Sequence, residues 1–263
     1  MNQKSLDNKK IYEGFNARGY LDHYYSKIGP ENDELLEFYS KCYKGISSDA
    51  VLLEFSGGPA LYPLIKAATI FKEIHFSDFV KANLAEVENW LKGGPDAFYW
   101  GDYIARALHY ENPNSEVTKM QIETRMRLMR LKISRIFECN ALSDLPIGNT
   151  DIKYDVIDIN FVLEAIAQTD KEWKQLFGKI LKYLKPTGRV VMTVVTGGTY
   201  YHIGENKLPT LNLSENKLSN FFDELGFHKS NQRTKSIQAE VLDRDDKNFA
   251  GYTGMIFIEA VRG

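Results

Sequence analysis

Cysteine is scarce: Cys42 and Cys139 are the only two in 263 residues, and no Cys-x-x-Cys occurs. A disulfide framework and a thiolate metal cluster are excluded, and reduced thiols in a cytoplasmic protein are the natural expectation. An excess of one charge is missing too. Against 35 Asp and Glu stand 33 Lys and Arg, a net of −2, so no global field draws the chain to nucleic acid or an anionic membrane. No apolar run approaches the roughly 20 residues that cross a bilayer. Residues 1–10 are polar, without the apolar centre of a signal peptide. Repeats and low-complexity tracts are also lacking. The expected partner is a small molecule, with no nucleic acid, no membrane and no metal, and the chain is expected to act as a monomer. A hydrophobic content of 43% over 263 residues suits one large domain, 1–263, with a full core.

A further absence is local. Val51-Leu52-Leu53-Glu54-Phe55 reads as a buried strand, and Ser56-Gly57-Gly58-Pro59 as a tight turn into a helical pattern. Gly-x-Gly-x-x-Gly is not there. Pro59 follows the last glycine, and no third glycine packs the helix on the sheet, so too few free N–H groups remain for a pyrophosphate. The next apolar run, Glu73-Ile74-His75-Phe76-Ser77, ends at Asp78. In a doubly wound sheet a carboxylate roughly 20 residues beyond the first turn accepts ribose hydroxyls. A glycine turn alone is as often an ordinary strand-to-helix connection. Together, the turn and Asp78 indicate a ligand with ribose but no phosphates, and S-adenosyl-L-methionine (SAM) is the common one.

Residues 11–46 precede the first strand and are aromatic, with Phe15, Tyr20, Tyr24, Tyr25, Phe38, Tyr39 and Tyr43 among them. Gly29-Pro30 divides them into two helices. The plainer reading is a helical flap packing an aromatic face on the sheet; the functional one turns tyrosine hydroxyls into the site. Residues 60–92 supply a helix, the strand ending at Asp78 and a second helix over 81–92. Residues 96–136 form an insertion beyond a minimal nucleoside-binding core. In it, 117–136 reads as a basic helix with an apolar stripe of Met120, Ile122, Met126, Met129 and Ile133, its basic face solvated. Short strands are expected at 136–139, ending at Asn140, and at 154–160. Glu164 follows as either a helix-surface residue or a carboxylate orienting a substrate, and its position favours the surface. A helix over 172–184, a strand over 189–195, a glycine-rich loop over 197–204, a helix over 214–225 and a final antiparallel pair at 236–242 and 254–261 complete the α/β pattern.

Several of these runs together resemble a family. They are Phe15-Asn16, Tyr20-Leu21, Tyr24-Tyr25, Ser-Gly-Gly-Pro-Ala-Leu-Tyr at 56–62, Phe71-Lys72-Glu73-Ile74, Asp78, Asn83-Leu84, Leu184-Lys185-Pro186 and Tyr200-Tyr201-His202-Ile203-Gly204-Glu205. The set is similar to the nicotinamide, phenylethanolamine and indolethylamine N-methyltransferase group, which also includes thioether S-methyltransferases. The likeness spans about 15–258. It implies a Rossmann-like class I methyltransferase: a seven-stranded, mostly parallel sheet with an antiparallel last strand under an N-terminal helical flap. It also implies that SAM is the methyl donor and S-adenosyl-L-homocysteine the product. Tyr20 and Tyr25 would bind the methionine carboxylate, and Ser56, Gly57, Gly58 and Tyr62 would line the methionine portion. Asp78 and Asn83 would meet the ribose, and Asn140 and Ala141 the adenine. Phe15, Tyr24, Tyr200 and Tyr201 would border the acceptor, with Glu164 or His202 as the proton acceptor.

The sequence departs from that family at three places. Ser56-Gly57-Gly58-Pro59-Ala60 replaces Gly-Ser-Gly-Pro-Thr, Asn140 replaces an aspartate, and Val194 stands where amine-methylating members carry an acid. Glu164 is then the main acidic candidate beside the acceptor. An amine nitrogen is the expected acceptor; a thiol or thioether, or a non-catalytic SAM-binding role, is the alternative. A nicotinamide-dinucleotide oxidoreductase would need the phosphate-binding glycines that Pro59 displaces.

Overall fold

The computed structural model describes Tyr12 and residues 14–203, 206–243 and 249–263. Seven strands form one sheet in the order β3-β2-β1-β4-β5-β9-β8. They are β1 (Val51–Phe55), β2 (Glu73–Asp78), β3 (Ile133–Glu138), β4 (Tyr154–Asn160), β5 (Leu184–Thr196), β8 (Gln232–Gln238) and β9 (Gly254–Val261). β1 and β3 both run parallel to β2, whereas β9 is antiparallel to β5 and to β8. A mostly parallel sheet with a reversed strand near one edge is the class I methyltransferase arrangement expected from the sequence.

The chain divides into two compact units. The first comprises Asn16–Glu138 with Tyr154–Ile157. It opens with α1 (Ala17–Tyr24), whose N-cap Asn16 accepts the Gly19 N–H, and α2 (Pro30–Ser40), begun by a proline whose missing N–H costs nothing there. After β1 the helix is a single turn, α3 (Leu64–Ala67). Pro59 and Pro63 withhold two N–H donors just where a longer helix would begin. α4 (Lys81–Lys92) has the bounds read from the sequence and stops at Gly93 in the left-handed region, φ 70°.

The insertion holds α5 (Gly101–Glu111) and α6 (Lys119–Lys132). A capping box of Thr118 and Gln121 starts α6. Two expectations for it are corrected. Ile133 leaves the helix and opens β3, so the strand begins earlier than 136. Met120, assigned to the apolar stripe, is exposed, while Arg125 is buried and reaches Glu111 at 2.7 and 3.0 Å and the Ile65 carbonyl at 3.1 Å. A guanidinium with three such partners is tolerated inside, so charge alone misplaces this face.

The second unit comprises Cys139–Lys153 and Asp158–Gly263 with the described residues before Asn16. Its core is aromatic: Trp173 and Phe177 of α8 (Asp170–Ile180) pack on Phe221 and Phe222 of α9 (Glu215–Glu224). A four-residue helix, α7 (Leu163–Ile166), follows β4. The segment read as a loop at 197–204 holds strand β6 (Tyr200–Ile203), which pairs with β7 (Asn206–Pro209) as a small antiparallel hairpin. Glycine content argued for a loop; the β-branched and aromatic run Tyr200–Ile203 carries the strand. Among the described residues no helix is long and apolar enough to cross a membrane.

Candidate active site

Register creates the first unit's polar centre. Phe55 lies opposite Ser77, so the turn leaving β1 passes beside Asp78, the last residue of β2. Ser56 takes φ 61° and Gly58 φ 63°, both left-handed. For Ser56 this costs on the order of 1–2 kcal/mol. The turn is then pinned. Gly57 N–H donates to the Ser77 carbonyl at 3.1 Å, and Gly58 N–H to Asp78 Oδ2 at 2.8 Å. Val80 N–H and the Asn83 amide donate to Asp78 Oδ1 at 2.7 and 2.9 Å. Burial pushes the Asp78 pKa up, and these donors, with the Ser56 hydroxyl, pull against it.

Asn83 carries a second message. A carboxylate accepts only, so the Asn83 nitrogen must face Asp78 and its carbonyl must point away. That Oδ1 is buried without a hydrogen-bond partner. An orphaned acceptor costs stability unless a donor arrives. A hydroxyl donor placed beside Asp78 would answer it. The two glycines fit the same picture: a Cβ on Gly57 would stand 2.7 Å from Glu54 Cγ and from the Phe76 ring, whereas Gly58 faces open space, where a ligand can approach the backbone.

The tyrosines gather above this turn. Tyr25 is buried, stacked on Tyr62 with centroids 5.6 Å apart, and 5.9 Å from Tyr20. Tyr20 is half-buried, and its hydroxyl is hydrogen-bonded with Tyr25. Burial, Tyr25, Tyr24 and the Asp78 charge all raise the Tyr20 pKa, so it stays protonated and able to donate. Tyr24 is exposed, its ring 4.8 Å from Tyr20. Sequence reasoning missed three neighbours. Trp100 and Tyr103 pack against the Tyr25 ring, and Glu54, buried in β1, underlies Gly57. A charge within an otherwise apolar strand was the available signal for Glu54.

In the second unit, Glu164 is a correction to the surface reading: it is 1% exposed. Oε1 accepts the Val195 N–H at 3.0 Å, and Oε2 is buried without a hydrogen-bond partner. The Glu164 backbone carbonyl accepts from Leu211 N–H at 2.8 Å and the Thr210 hydroxyl at 3.1 Å, tying α7 to the segment after β7. Burial raises the Glu164 pKa to about 7, against the Val195 N–H and a smaller pull from its own. Asn140 spends one carbonyl lone pair on Leu142 N–H at 3.0 Å, and Ala141 beside it is buried. Phe15 packs edge-on to Tyr12, and Tyr200 edge-on to Phe249. The side chains of Tyr201 and His202 lie outside the described residues. Among the described residues no three His, Cys, Asp or Glu side chains gather as a metal site.

Known proteins resemble this chain over most of its length. It is 27% identical to nicotinamide N-methyltransferase of Sus scrofa over 223 residues, covering 81% of this chain and 82% of the relative. It is 23% identical to indolethylamine N-methyltransferase of Mus musculus over 269 residues, covering 97% and 98%. Among solved structures, a DhpI-SAM-HEP complex shares the fold with a TM-score of 0.57 at 9% identity, covering 99% of each chain. The sequence profile of the NNMT/PNMT/TEMT family matches residues 3–261. Asp78, the pinned glycine turn and the phenols over it thus sit in a SAM-dependent methyltransferase, and the chain belongs to the NNMT/PNMT/TEMT family.

Proposed function

We propose that this methyltransferase places the methyl group on an amine nitrogen of a small metabolite, with Glu164 taking up or orienting the amine proton. The observation that carries this reading is the buried Glu164 carboxyl, with Oε2 unmatched and its pKa raised to about 7. An amine attacks only through a free lone pair, so it must arrive neutral or give up a proton in the site. A base with a pKa near working pH suits that task. A thioether needs no such base.

SAM, once bound, supplies an electrophilic methyl group. The chain's part is to hold and align. Tyr20, kept protonated, and Tyr25 beside it donate to the methionine carboxylate, a charge-assisted contact. The Ser56–Gly58 backbone and Tyr62 line the methionine portion. Asp78 Oδ1 already receives two donors and Oδ2 one N–H, so the ribose hydroxyls are shared between Asp78 Oδ2 and Asn83 Oδ1. Asn140 and Ala141 are assigned to the adenine, and Phe15, Tyr24, Tyr200 and Tyr201 to the acceptor. Alignment of this kind contributes roughly 7–11 kcal/mol.

The test is isotope-labelled methyl transfer from SAM to a panel of primary, secondary and tertiary amines beside thiols and thioethers. Label on nitrogen, sharply reduced in Glu164→Gln, is the expected result. Label on sulfur alone, or a Glu164→Gln variant as active as wild type, overturns the reading.

A further inference from the structure

Tyr25 sits at the end of α1, where the chain crosses to α2 through Ser26, Lys27, Ile28 and Gly29. That connector borders an open cleft. A cavity of about 230 Å³ lies against it, lined by Arg18, Tyr25, Lys27, Phe98, Tyr99 and Tyr103 among others. A backbone with space on one side is free to shift unless hydrogen bonds hold it, since packing there supplies no restraint.

Two side chains supply those bonds. The Asn32 amide, from the first turns of α2, donates to the Tyr24 carbonyl at 3.2 Å and to the Tyr103 hydroxyl at 3.1 Å. The Tyr103 hydroxyl in turn donates to the Lys27 carbonyl at 3.3 Å. The residue before Tyr25 and the second one after it are thus tied to one bridge. The Tyr103 ring is buried and lies 6.1 Å from Tyr25 and 6.2 Å from Tyr62, so the same residue supports the phenol from its side. Asn32 cannot be flipped without loss: its carbonyl would then face the Tyr24 carbonyl, acceptor against acceptor.

We propose that Asn32 and Tyr103 are positioning residues for the methyl donor, setting Tyr25 and, through the hydrogen bond between the phenols, Tyr20. The inference rests on the reading that Tyr20 and Tyr25 hold the donor's carboxylate. Neither Asn32 nor Tyr103 touches the donor in this scheme; they fix the residue that does.

The experiment is calorimetric titration of the full chain with S-adenosylhomocysteine, comparing wild type, Tyr103→Phe, Asn32→Ala, Tyr25→Phe and the Tyr103→Phe/Tyr25→Phe double variant, with a melting curve for each. Tyr103→Phe keeps the ring and loses only the bridge, and is expected to raise Kd about three- to tenfold. Asn32→Ala, at a half-buried position, is expected to do the same without touching the aromatic core. The discriminating readout is the coupling. Once the Tyr25 hydroxyl is gone, adding Tyr103→Phe should change Kd by less than about twofold, because the bridge acts through Tyr25. A merely structural role would give the same factor in both backgrounds. That result, or wild-type affinity in Tyr103→Phe and Asn32→Ala while Tyr25→Phe binds weakly, overturns the inference and leaves the donor reading standing. Wild-type affinity in both Tyr25→Phe and a parallel Tyr20→Phe sinks the donor reading and the inference with it.

Discussion

Asp78 and Glu164 are both carboxylates withdrawn from water, and they have been treated in opposite ways. Asp78 receives two backbone N–H groups, an amide and the Ser56 hydroxyl; Glu164 receives Val195 N–H on one oxygen and leaves the other unmatched. Burial raises both pKa values, and four donors pull the other way at Asp78 against the Val195 N–H and a smaller pull from its own N–H at Glu164. The number of converging donors, more than depth, decides whether a buried acid keeps its charge. On the proposed reading, the acid wrapped in donors faces the methyl donor, which is the same at every turnover, and the acid with an unmatched oxygen faces an acceptor that has a proton to lose.

The sharpest way to break this comparison is Asp78→Ala. It removes the partner of two buried N–H groups and an amide, and is expected to cost on the order of 3 kcal/mol of stability and to abolish S-adenosylhomocysteine binding by calorimetry. Retained binding would show that the ribose does not depend on Asp78.

Next in size is the pH dependence of stability. The Glu164 pKa rises from 4.5 unfolded to about 7 folded, so between these values the folded chain holds a proton that the unfolded chain has released. Stability therefore falls as pH climbs through that window, by about 3 kcal/mol in all, and is fully present only below it. Glu164→Gln cannot titrate. Denaturant unfolding from pH 4 to 8 should show this slope in wild type and lose it in the variant; parallel curves would mean that folding leaves the Glu164 pKa unchanged.

Gly57→Ala comes third. Its Cβ would meet Glu54 and Phe76 at 2.7 Å, so about 2 kcal/mol of destabilisation is expected in the same unfolding assay. A wild-type midpoint would mean that the turn relaxes at little cost. Tyr20→Phe is the mildest. It leaves packing intact and should raise the Kd of S-adenosylhomocysteine about tenfold, the value of one charge-assisted contact. An unchanged Kd would separate this phenol from the carboxylate.

Much of the donor end was legible in the sequence because strand, turn and acid are consecutive signals. An apolar run ends in Ser-Gly-Gly-Pro, and Asp78 closes the next one, so pairing of neighbouring strands brings them together. Residues 81–92 were equally plain, with Gly93 marking the stop. What could not be read depends on contacts far apart in the chain. Arg125 looks solvent-bound until Glu111, 14 positions earlier, is seen to meet it. Glu164 looks exposed because nothing local announces the Val195 N–H, 31 positions later. Tyr103 carries no local signal, because its use depends on Asn32, 71 positions away. Periodicity reports which face is apolar and is silent about polar groups that pay their desolvation through distant partners.

The pinning of Asp78 by its own neighbours bears on how the reaction ends. On the proposed reading, the two backbone N–H groups and the asparagine nitrogen that hold Asp78 stay in place when the spent nucleoside departs, so its carboxylate keeps its partners. Release would then leave Asn83 Oδ1 without its donor while the Asp78 carboxylate stays matched, so the asparagine carbonyl gains from the next molecule and the acid does not hold back the last.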